Sequence, residues 1–286
     1  MAAALEDVKL VGFWASPFVV RVRIALNLKG IEYDFLQEEP TAGQKSELLL
    51  KSNPVYKKFP VLIHGGRPIC ESLLIVQYID EAWPSACAPI LPADSYGSGV
   101  ILIGWYFKSG LTDLDTPFTL ILEGELLLLH PTNCFKVVDP GLIQSFPNCN
   151  DFSVSRKLHE NMLPTQGPLL LDNANEESKA EAKEKVFAAL QQLEMVFLDC
   201  SEGKSFFGGD SIGYIDIVLG SLLGWLKASQ TMAGINFLDE TKTPRLVEWA
   251  ERFCSAAAVK EVLPEAEKLV EFRKSVKAAG RVSAGA

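Results

Sequence analysis

Residues 8–18 read VKLVGFWASPF, and this stretch carries the strongest local structural signal in the chain. Residues 8–13 form a short apolar run, which is typical of a buried strand. Ser16 and Pro17 are typical of a helix start, because serine is a preferred N-cap and proline a preferred first helical residue. The stretch therefore predicts a buried strand that leads directly into a helix.

The residues that follow extend this pattern into a small α/β unit. Helical spacing continues through residues 19–29 and is stopped by Gly30. Residues 31–36 alternate between apolar and polar side chains, as a strand with one buried face does. The predicted order is β-α-β-α-β-β-α, with the later elements at residues 45–51, 60–64, 67–70 and 72–83. That order predicts a thioredoxin-like α/β domain.

The chain divides into two predicted domains. The α/β domain covers residues 5–84, and residues 85–94, rich in proline and small side chains, form the predicted linker. Residues 95–286 are predicted to form an all-α helical-bundle domain. Helical periodicity is clearest there in four segments, at residues 176–200, 215–229, 244–256 and 264–277.

One helix start in the second domain is especially well defined. Gly213 can serve as an N-cap, and Asp216, three residues later, can accept hydrogen bonds from the free backbone N–H groups of the first turn. Ile212 and Ile217 flank this start as a hydrophobic staple. We interpret Asp216 as a structural cap rather than a catalytic carboxylate.

Composition excludes several classes of function. The net charge of −9 and the pI of about 5.0 disfavour binding to nucleic acid. The longest apolar stretches are shorter than a membrane span requires, and the first residues lack the basic start of a signal peptide. Six cysteines and three histidines show no metal-ligand spacing, so the cysteines are interpreted as free thiols, with disulfides as the alternative. A cytosolic protein without a membrane or nucleic-acid partner is expected.

Three blocks of sequence identify a family. They are FWASPF at residues 13–18, NPVYKKFPVL at residues 53–62 with CES at residues 70–72, and FFGGD at residues 206–210. In these blocks the chain resembles the cytosolic glutathione S-transferases, and within them the plant tau class. The resemblance implies the two-domain fold, a homodimer, and attack of the glutathione thiolate on a hydrophobic electrophile. Glutathione is then a co-substrate, with no metal and no bound organic cofactor.

The resemblance implies that Ser16 is the catalytic residue. The thiolate is the reactive form of glutathione, and a hydroxyl at a helix N-terminus can stabilise it by a hydrogen bond within a region of positive potential. The alternative is that Ser16 only caps its helix. Relatives that exchange disulfides carry a cysteine at this position, whereas the nearest cysteine here is Cys70, so a thiol–disulfide oxidoreductase is disfavoured.

Five further residues match the family's glutathione-binding positions. Glu71 is implied to bind the ammonium group of glutathione and Ser72 its γ-glutamyl carboxylate, while Lys45 and Lys58 are implied to meet the glycine carboxylate. Phe59 precedes a proline implied to be cis, so that its backbone pairs with the cysteinyl part of glutathione. The alternatives are a simple helix cap for Glu71 and Ser72, and solvated side chains for the lysines.

Residues 98–175 do not match the family pattern. Where the family has a long helix that carries aromatic residues, this chain has a segment without clear helical periodicity. This divergent segment is either a genuine insertion or translated non-coding sequence, and we favour the second interpretation. Trp105, Tyr106 and Phe107 could replace the missing aromatics but are better explained as apolar filler. Trp225 and Phe272 are the better candidates for the wall of the electrophile pocket.

Two functions therefore remain open. The first is a glutathione transferase that detoxifies hydrophobic electrophiles, with reduction of organic hydroperoxides as a further reaction. The second is a non-catalytic protein that binds glutathione or hydrophobic ligands, or a variant inactivated by residues 98–175.

Overall fold

The structure is a computed structural model of the chain. It describes residues 7–39, 45–84, 88–91, 118–122, 125–129 and 176–284, and elements are labelled in chain order within those ranges.

The N-terminal domain is built on a four-stranded mixed sheet. The strands are β1 (Val8–Gly12), β2 (Asp34–Gln37), β3 (Val61–His64) and β4 (Arg67–Cys70). Their spatial order is β2-β1-β3-β4, with β1 parallel to β2 and antiparallel to β3. This sheet confirms the predicted thioredoxin-like domain.

Three helices accompany the sheet, namely α1 (Pro17–Leu28), α2 (Glu47–Ser52) and α3 (Ser72–Ala82). Helices α1 and α3 pack against each other, and their apolar side chains meet those of β1 and β3 in one buried core. The core therefore lies directly behind the loop that joins β1 to α1. Its fully buried members include Leu10, Val19, Ile24, Leu26, Leu62, Ile75 and Ile79.

The C-terminal part of the chain forms six described helices, at Glu176–Ser201 (α4), Tyr214–Gly220 (α5), Leu223–Ala233 (α6), Pro244–Ser255 (α7), Ala257–Lys260 (α8) and Ala266–Ala284 (α9). The predicted segments 176–200 and 244–256 correspond closely to α4 and α7, whereas α9 begins at Ala266 and extends to Ala284, well beyond the predicted end at residue 277. The short helix α8 has no counterpart in the prediction.

The prediction of one continuous helix over residues 215–229 is wrong, because the chain breaks between α5 and α6. In a continuous helix the Val218 carbonyl would accept the Leu222 N–H. Instead it accepts hydrogen bonds from Arg21 at 3.3 Å and from the Ser221 hydroxyl at 3.0 Å. The Leu222 N–H turns to the Leu219 carbonyl at 3.0 Å, which tightens the chain into a short bend.

The predicted cap of α5 is confirmed. Asp216 is fully buried, and its carboxylate accepts hydrogen bonds of 2.9 Å from the backbone N–H groups of Phe207, Gly208 and Gly213. The indole N–H of Trp249 donates a fourth, at 2.8 Å. Burial raises the pKa of Asp216, and these four hydrogen bonds oppose that rise.

The absence of strands after the linker was predicted, and it is wrong at one place. Strands β5 (Phe118–Leu122) and β6 (Glu125–Leu129) form a separate two-stranded antiparallel sheet. The alternating polar and apolar pattern that reveals a half-buried strand is missing from this run of leucines, so periodicity gave no signal. The rest of the divergent segment, including Trp105, Tyr106 and Phe107, lies outside the described residues.

Residues 88–91 of the predicted linker are held against the N-terminal domain. The buried Lys29 ammonium pairs with the Asp80 carboxylate at 2.7 Å. Asp80 also accepts hydrogen bonds from the backbone N–H groups of Ile90 at 2.9 Å and Leu91 at 3.0 Å. The paired charges therefore anchor the start of the connection between the domains.

Within the described residues, no helix is long and apolar enough to cross a membrane, and no group of three or more His, Cys, Asp or Glu side chains is placed to hold a metal ion. Among the described cysteines, Cys70 and Cys254 are free thiols.

Candidate active site

The loop between β1 and α1 holds Ser16, the residue predicted to be catalytic. Ser16 is the N-cap of α1 and is only 8% exposed. Its backbone N–H donates to the Phe13 carbonyl at 3.0 Å, and its carbonyl accepts the Val19 and Val20 N–H groups of the first helical turn. The backbone of Ser16 is therefore fixed, and the residue lies at the positive end of the helix.

The hydroxyl of Ser16 is not used to cap α1. It makes no hydrogen bond to the backbone of that helix, every residue of which the structure describes. The N-cap of α2 behaves in the usual way, because the Ser46 hydroxyl accepts the Leu49 N–H at 3.0 Å. The difference removes the main argument for a purely structural Ser16 and leaves its hydroxyl able to bind a ligand.

A second helix N-terminus carries Glu71 and Ser72. Glu71 is the N-cap of α3 and has a φ of 71°, a left-handed conformation that is uncommon for a residue with a side chain. Such conformations persist where the surrounding structure imposes them and are concentrated at binding sites. Ser72 begins the helix and is buried.

Two lysines differ in their relation to this second N-terminus. Burial raises the pKa of Glu71, and the positive charge of Lys58 opposes the rise, so the two side chains interact electrostatically. Lys58 itself is exposed, in the loop before β3. Lys45 is exposed immediately before Ser46, at the start of α2. The structure therefore relates Lys58 to Glu71, while Lys45 is placed only by its position before α2.

Arg21, which the sequence analysis missed, connects the two helix N-termini. This residue of α1 is 1% exposed, and its guanidinium donates to the Ser72 hydroxyl at 3.4 Å, to the Ser221 hydroxyl at 3.2 Å and to the Val218 carbonyl. Desolvation lowers the pKa of Arg21 from 12.5 to about 10, so it remains charged at neutral pH. The sequence carried only a weak signal, because α1 is mostly apolar but contains two arginines, the buried Arg21 and the half-buried Arg23.

Aromatic side chains surround the Ser16 loop. The Phe13 ring centroid lies 5.1 Å from that of Phe272 on α9, 5.7 Å from that of Trp14 and 6.3 Å from that of Phe59. The Phe59–Pro60 peptide bond is cis, as the resemblance implies. The predicted wall residue Phe272 therefore meets the N-terminal domain at this loop.

Trp225, the other predicted wall residue, also reaches the loop. It is half-buried near the start of α6, and its indole N–H donates to the Ala15 carbonyl at 2.7 Å. Its ring packs in the apolar cluster that includes Ala15, Phe13 and Phe272. The sequence analysis placed Trp225 near a pocket but did not predict this hydrogen bond, because the two residues are far apart in the chain.

Residues 6–81 match the model of the glutathione S-transferase N-terminal domain, and residues 153–257 match that of the glutathione S-transferase C-terminal domain. The second match begins inside the divergent segment 98–175.

Similar sequences span almost the whole chain. Glutathione S-transferase U18 from Arabidopsis thaliana is 44% identical over 273 residues, which cover 96% of this chain and 97% of the relative. A probable glutathione S-transferase, GSTU6, from Oryza sativa subsp. japonica is 36% identical, with 96% of each chain covered.

Solved structures agree with this result. The tau class glutathione S-transferase from mango, Mangifera indica, has a TM-score of 0.70 at 39% identity, covering 94% of this chain and 98% of the other. Rice GST1, solved in complex with glutathione, has a TM-score of 0.65 at 29% identity, covering 96% and 100%. Both sequence and architecture therefore match over both domains.

Proposed function

The chain belongs to the tau class of the glutathione S-transferase family, and we propose that it transfers the thiolate of glutathione to hydrophobic electrophiles. The observation that carries this proposal is the Ser16 hydroxyl, which sits at a helix N-terminus without serving as its cap. The relatives' names support the reaction class, and the residues around Ser16 support the mechanism.

Ser16 stabilises the glutathione thiolate in this mechanism. A free cysteine thiol has a pKa of about 8.5, so most free glutathione is protonated at neutral pH. A hydrogen bond from the Ser16 hydroxyl to sulfur, together with the positive potential at the start of α1, favours the thiolate over the thiol. The proton leaves to solvent, and the sulfur attacks the electrophilic carbon while the leaving group departs with its electron pair.

The second helix N-terminus orients glutathione for this attack. Glu71 binds the ammonium group, and the Ser72 hydroxyl donates to the γ-glutamyl carboxylate while accepting the N–H of Arg21. Lys58 and Lys45 attract the glycine carboxylate, and the backbone of Phe59 pairs with the cysteinyl part. The charge of Lys58 near Glu71 supports this arrangement, because glutathione carries both signs of charge.

The aromatic residues around Ser16 supply the site for the electrophile. Trp14 and Phe272, which are partly buried and meet edge to face, form an apolar surface beside the predicted position of the sulfur, and the buried Phe13 packs behind it. Such a surface favours flat, hydrophobic substrates by burial of apolar area and by ring contacts. Electrophiles of this kind fit a detoxifying role.

The same thiolate would also reduce organic hydroperoxides. Sulfur attacks the terminal peroxide oxygen, which breaks the O–O bond, releases an alcohol and leaves glutathione sulfenic acid. A second glutathione then condenses with the sulfenic acid to give the disulfide and water. No metal or bound organic cofactor takes part in either reaction.

We further propose a cytosolic homodimer. The free thiols of Cys70 and Cys254 support a reducing compartment. The exposed apolar side chains of Val55, 72% exposed, and Leu74 on α3 support a subunit contact on the N-terminal domain. Sedimentation of the intact chain and of Val55→Glu tests the dimer. The introduced glutamate places a charge in the proposed contact and should weaken the association of the subunits.

The central experiment compares the intact chain with Ser16→Ala. The rate of glutathione conjugation with an aryl halide is measured between about pH 6 and pH 9, with Ser255→Ala at the exposed end of α7 as a control. If Ser16 lowers the thiol pKa by about two units, Ser16→Ala loses about a hundredfold in kcat/KM near pH 6 and little near pH 9. A uniform loss at every pH would contradict thiolate stabilisation.

The alternative, a non-catalytic binding protein, makes a different prediction in the same experiment. It requires an intact chain that binds glutathione by calorimetry but conjugates no electrophile above the uncatalysed rate. That result would overturn the enzymatic proposal and direct attention to residues 98–175.

A further inference from the structure

The peptide group between Ala15 and Ser16 is held by hydrogen bonds at both ends. Its N–H, on Ser16, donates to the Phe13 carbonyl at 3.0 Å, and its C=O, on Ala15, accepts the Trp225 indole N–H at 2.7 Å. A peptide group is planar, so fixing both of its polar atoms fixes the orientation of the whole plane. The bond from Ser16 N to Cα lies in this plane, so fixing the plane fixes the axis on which the direction of the Ser16 side chain depends.

The two bonds come from different parts of the molecule. Phe13 belongs to the loop itself, whereas Trp225 lies on α6 in the C-terminal part of the chain. The Ala15 carbonyl precedes the N-cap, and both nearby helical N–H groups, of Val19 and Val20, use the Ser16 carbonyl instead. Trp225 therefore supplies the donor for a carbonyl that the first helical turn does not use.

The hydrogen bond from Trp225 to the Ala15 carbonyl lies in a buried environment, so its loss would affect the loop. Ala15 is 3% exposed, so water has little access to its carbonyl. A buried carbonyl that loses its donor is costly, and the loop would move to find another. Ala228, on the same helix as Trp225, and Leu269 and Val270, on α9, pack in the same cluster and restrict that movement.

We propose that Trp225 is a positioning residue for thiolate formation, acting through the Ala15 carbonyl to aim the Ser16 hydroxyl at the glutathione sulfur. Helix α6 then contributes to the chemistry of the N-terminal domain without touching the thiol. This inference rests on the proposed function, and it differs from a pocket-wall role, which would change electrophile binding only. A hydrogen bond to sulfur weakens when the hydroxyl is misdirected, so the thiol pKa is the property that Trp225 controls.

The test is Trp225→Phe, which keeps an aromatic ring and removes the N–H. The pKa of enzyme-bound glutathione is measured by the ultraviolet absorbance of its thiolate, without electrophile, and from the pH profile of kcat/KM. The expected result is a pKa raised by roughly half a unit to one unit, which lowers kcat/KM about three- to tenfold near pH 6 and leaves it close to the parent value near pH 9. An unchanged pKa overturns the proposal, even if the KM for the electrophile rises.

Two further measurements separate this proposal from others. In Ser16→Ala, adding Trp225→Phe should cause no further rise in pKa, because the two residues act through the same hydrogen bond. An additive rise would mean that Trp225 acts independently of Ser16. If Ser16→Ala itself leaves the pKa unchanged, the proposed role of Ser16 fails first.

Trp249→Phe is the matched control. The Trp249 indole N–H also donates to a distant oxygen, that of Asp216, but lies in the core of the C-terminal helices. It is expected to lower thermal stability without moving the thiol pKa. If Trp225→Phe folds poorly, a tryptophan analogue in which sulfur replaces the indole N–H is placed at position 225 instead. This analogue keeps the shape of the ring but has no N–H to donate. A pKa unchanged with this analogue would overturn the proposal.

Discussion

The N-termini of α5 and α1 both carry capping residues in the sequence, and these residues are used differently in the structure. At α5, all four hydrogen bonds to the buried Asp216 carboxylate come from donors of the protein itself, and they tie residues 207–213 and Trp249 to the helix start. At α1, the Ser16 hydroxyl bonds to none of the backbone groups of the helix, residues 17–28, although it is nearly as buried.

This difference distinguishes a structural cap from a group that binds a ligand. A buried polar group is normally satisfied inside the protein, because an unmet hydrogen bond costs free energy. Because the Ser16 hydroxyl leaves its helix uncapped, it is available to a partner outside the protein. In this chain the partner we propose is the glutathione sulfur.

The largest expected effect is at the satisfied cap. Asp216→Ala leaves three backbone N–H groups and the Trp249 indole without their acceptor, and we expect a loss of about 3 kcal/mol or more in the free energy of unfolding. Urea unfolding measures it. Asp210→Ala, whose carboxylate is exposed in the same segment, is the control and should change stability by less than about 0.5 kcal/mol. Equal effects of the two substitutions would contradict the structural reading of Asp216.

The sequence predicted the pairing of Gly213 with Asp216 at the start of α5, but not the other three donors to Asp216, and it predicted the loop that carries Ser16 only in part. Capping and helix periodicity depend on residues a few positions apart, so Gly213 and Asp216 were recognisable as a pair. The contacts of Arg21 with Ser72 and of Trp225 with Ala15 join residues far apart in the chain, and no local pattern indicates them. The break between α5 and α6 was missed for the same reason, since Arg21 competes for the Val218 carbonyl from another domain.

The candidate site shows the same division. Family motifs gave Ser16, Lys45, Lys58, Phe59, Glu71 and Ser72 their implied roles, and the structure leaves those ligand contacts as predictions. The structure adds the backbone conformation of these residues and the direction of their pKa shifts, such as the left-handed backbone of Glu71 and its raised pKa. These properties depend on burial and on neighbouring charges, which a sequence does not specify.

An intermediate effect is expected at Glu71. Its carboxylate must be ionised to bind an ammonium group, and burial places its pKa above the ordinary 4.5. Glutathione affinity should therefore fall as the pH drops through that raised pKa, by about tenfold for each unit below it. Glu71→Gln should bind glutathione about tenfold more weakly at neutral pH and lose this dependence, as calorimetry would show.

The same substitution should not destabilise the protein. A carboxyl group whose pKa is raised by folding lowers stability when it is ionised, so Glu71→Gln is expected to be as stable as the parent, or slightly more stable, at neutral pH. Glu81→Gln, exposed on the same helix, is the control and should leave binding unchanged. Unaltered binding in Glu71→Gln would remove Glu71 from the glutathione site.

The smallest expected effect is a difference between two serine caps. The Ser46 hydroxyl accepts the Leu49 N–H and also bonds to the Glu38 carboxylate, so Ser46→Ala should cost about 1–2 kcal/mol of unfolding free energy. The Ser16 hydroxyl gives its helix no such bond, so Ser16→Ala should change stability by less than about 0.5 kcal/mol in the absence of glutathione. Urea unfolding of both variants, without and with glutathione, measures the contrast. Saturating glutathione should stabilise the parent more than Ser16→Ala, because the stabilisation of the folded state by a ligand increases with the logarithm of its concentration divided by its Kd. A large loss in Ser16→Ala without glutathione would instead make Ser16 a structural cap and return it to the same class as Asp216.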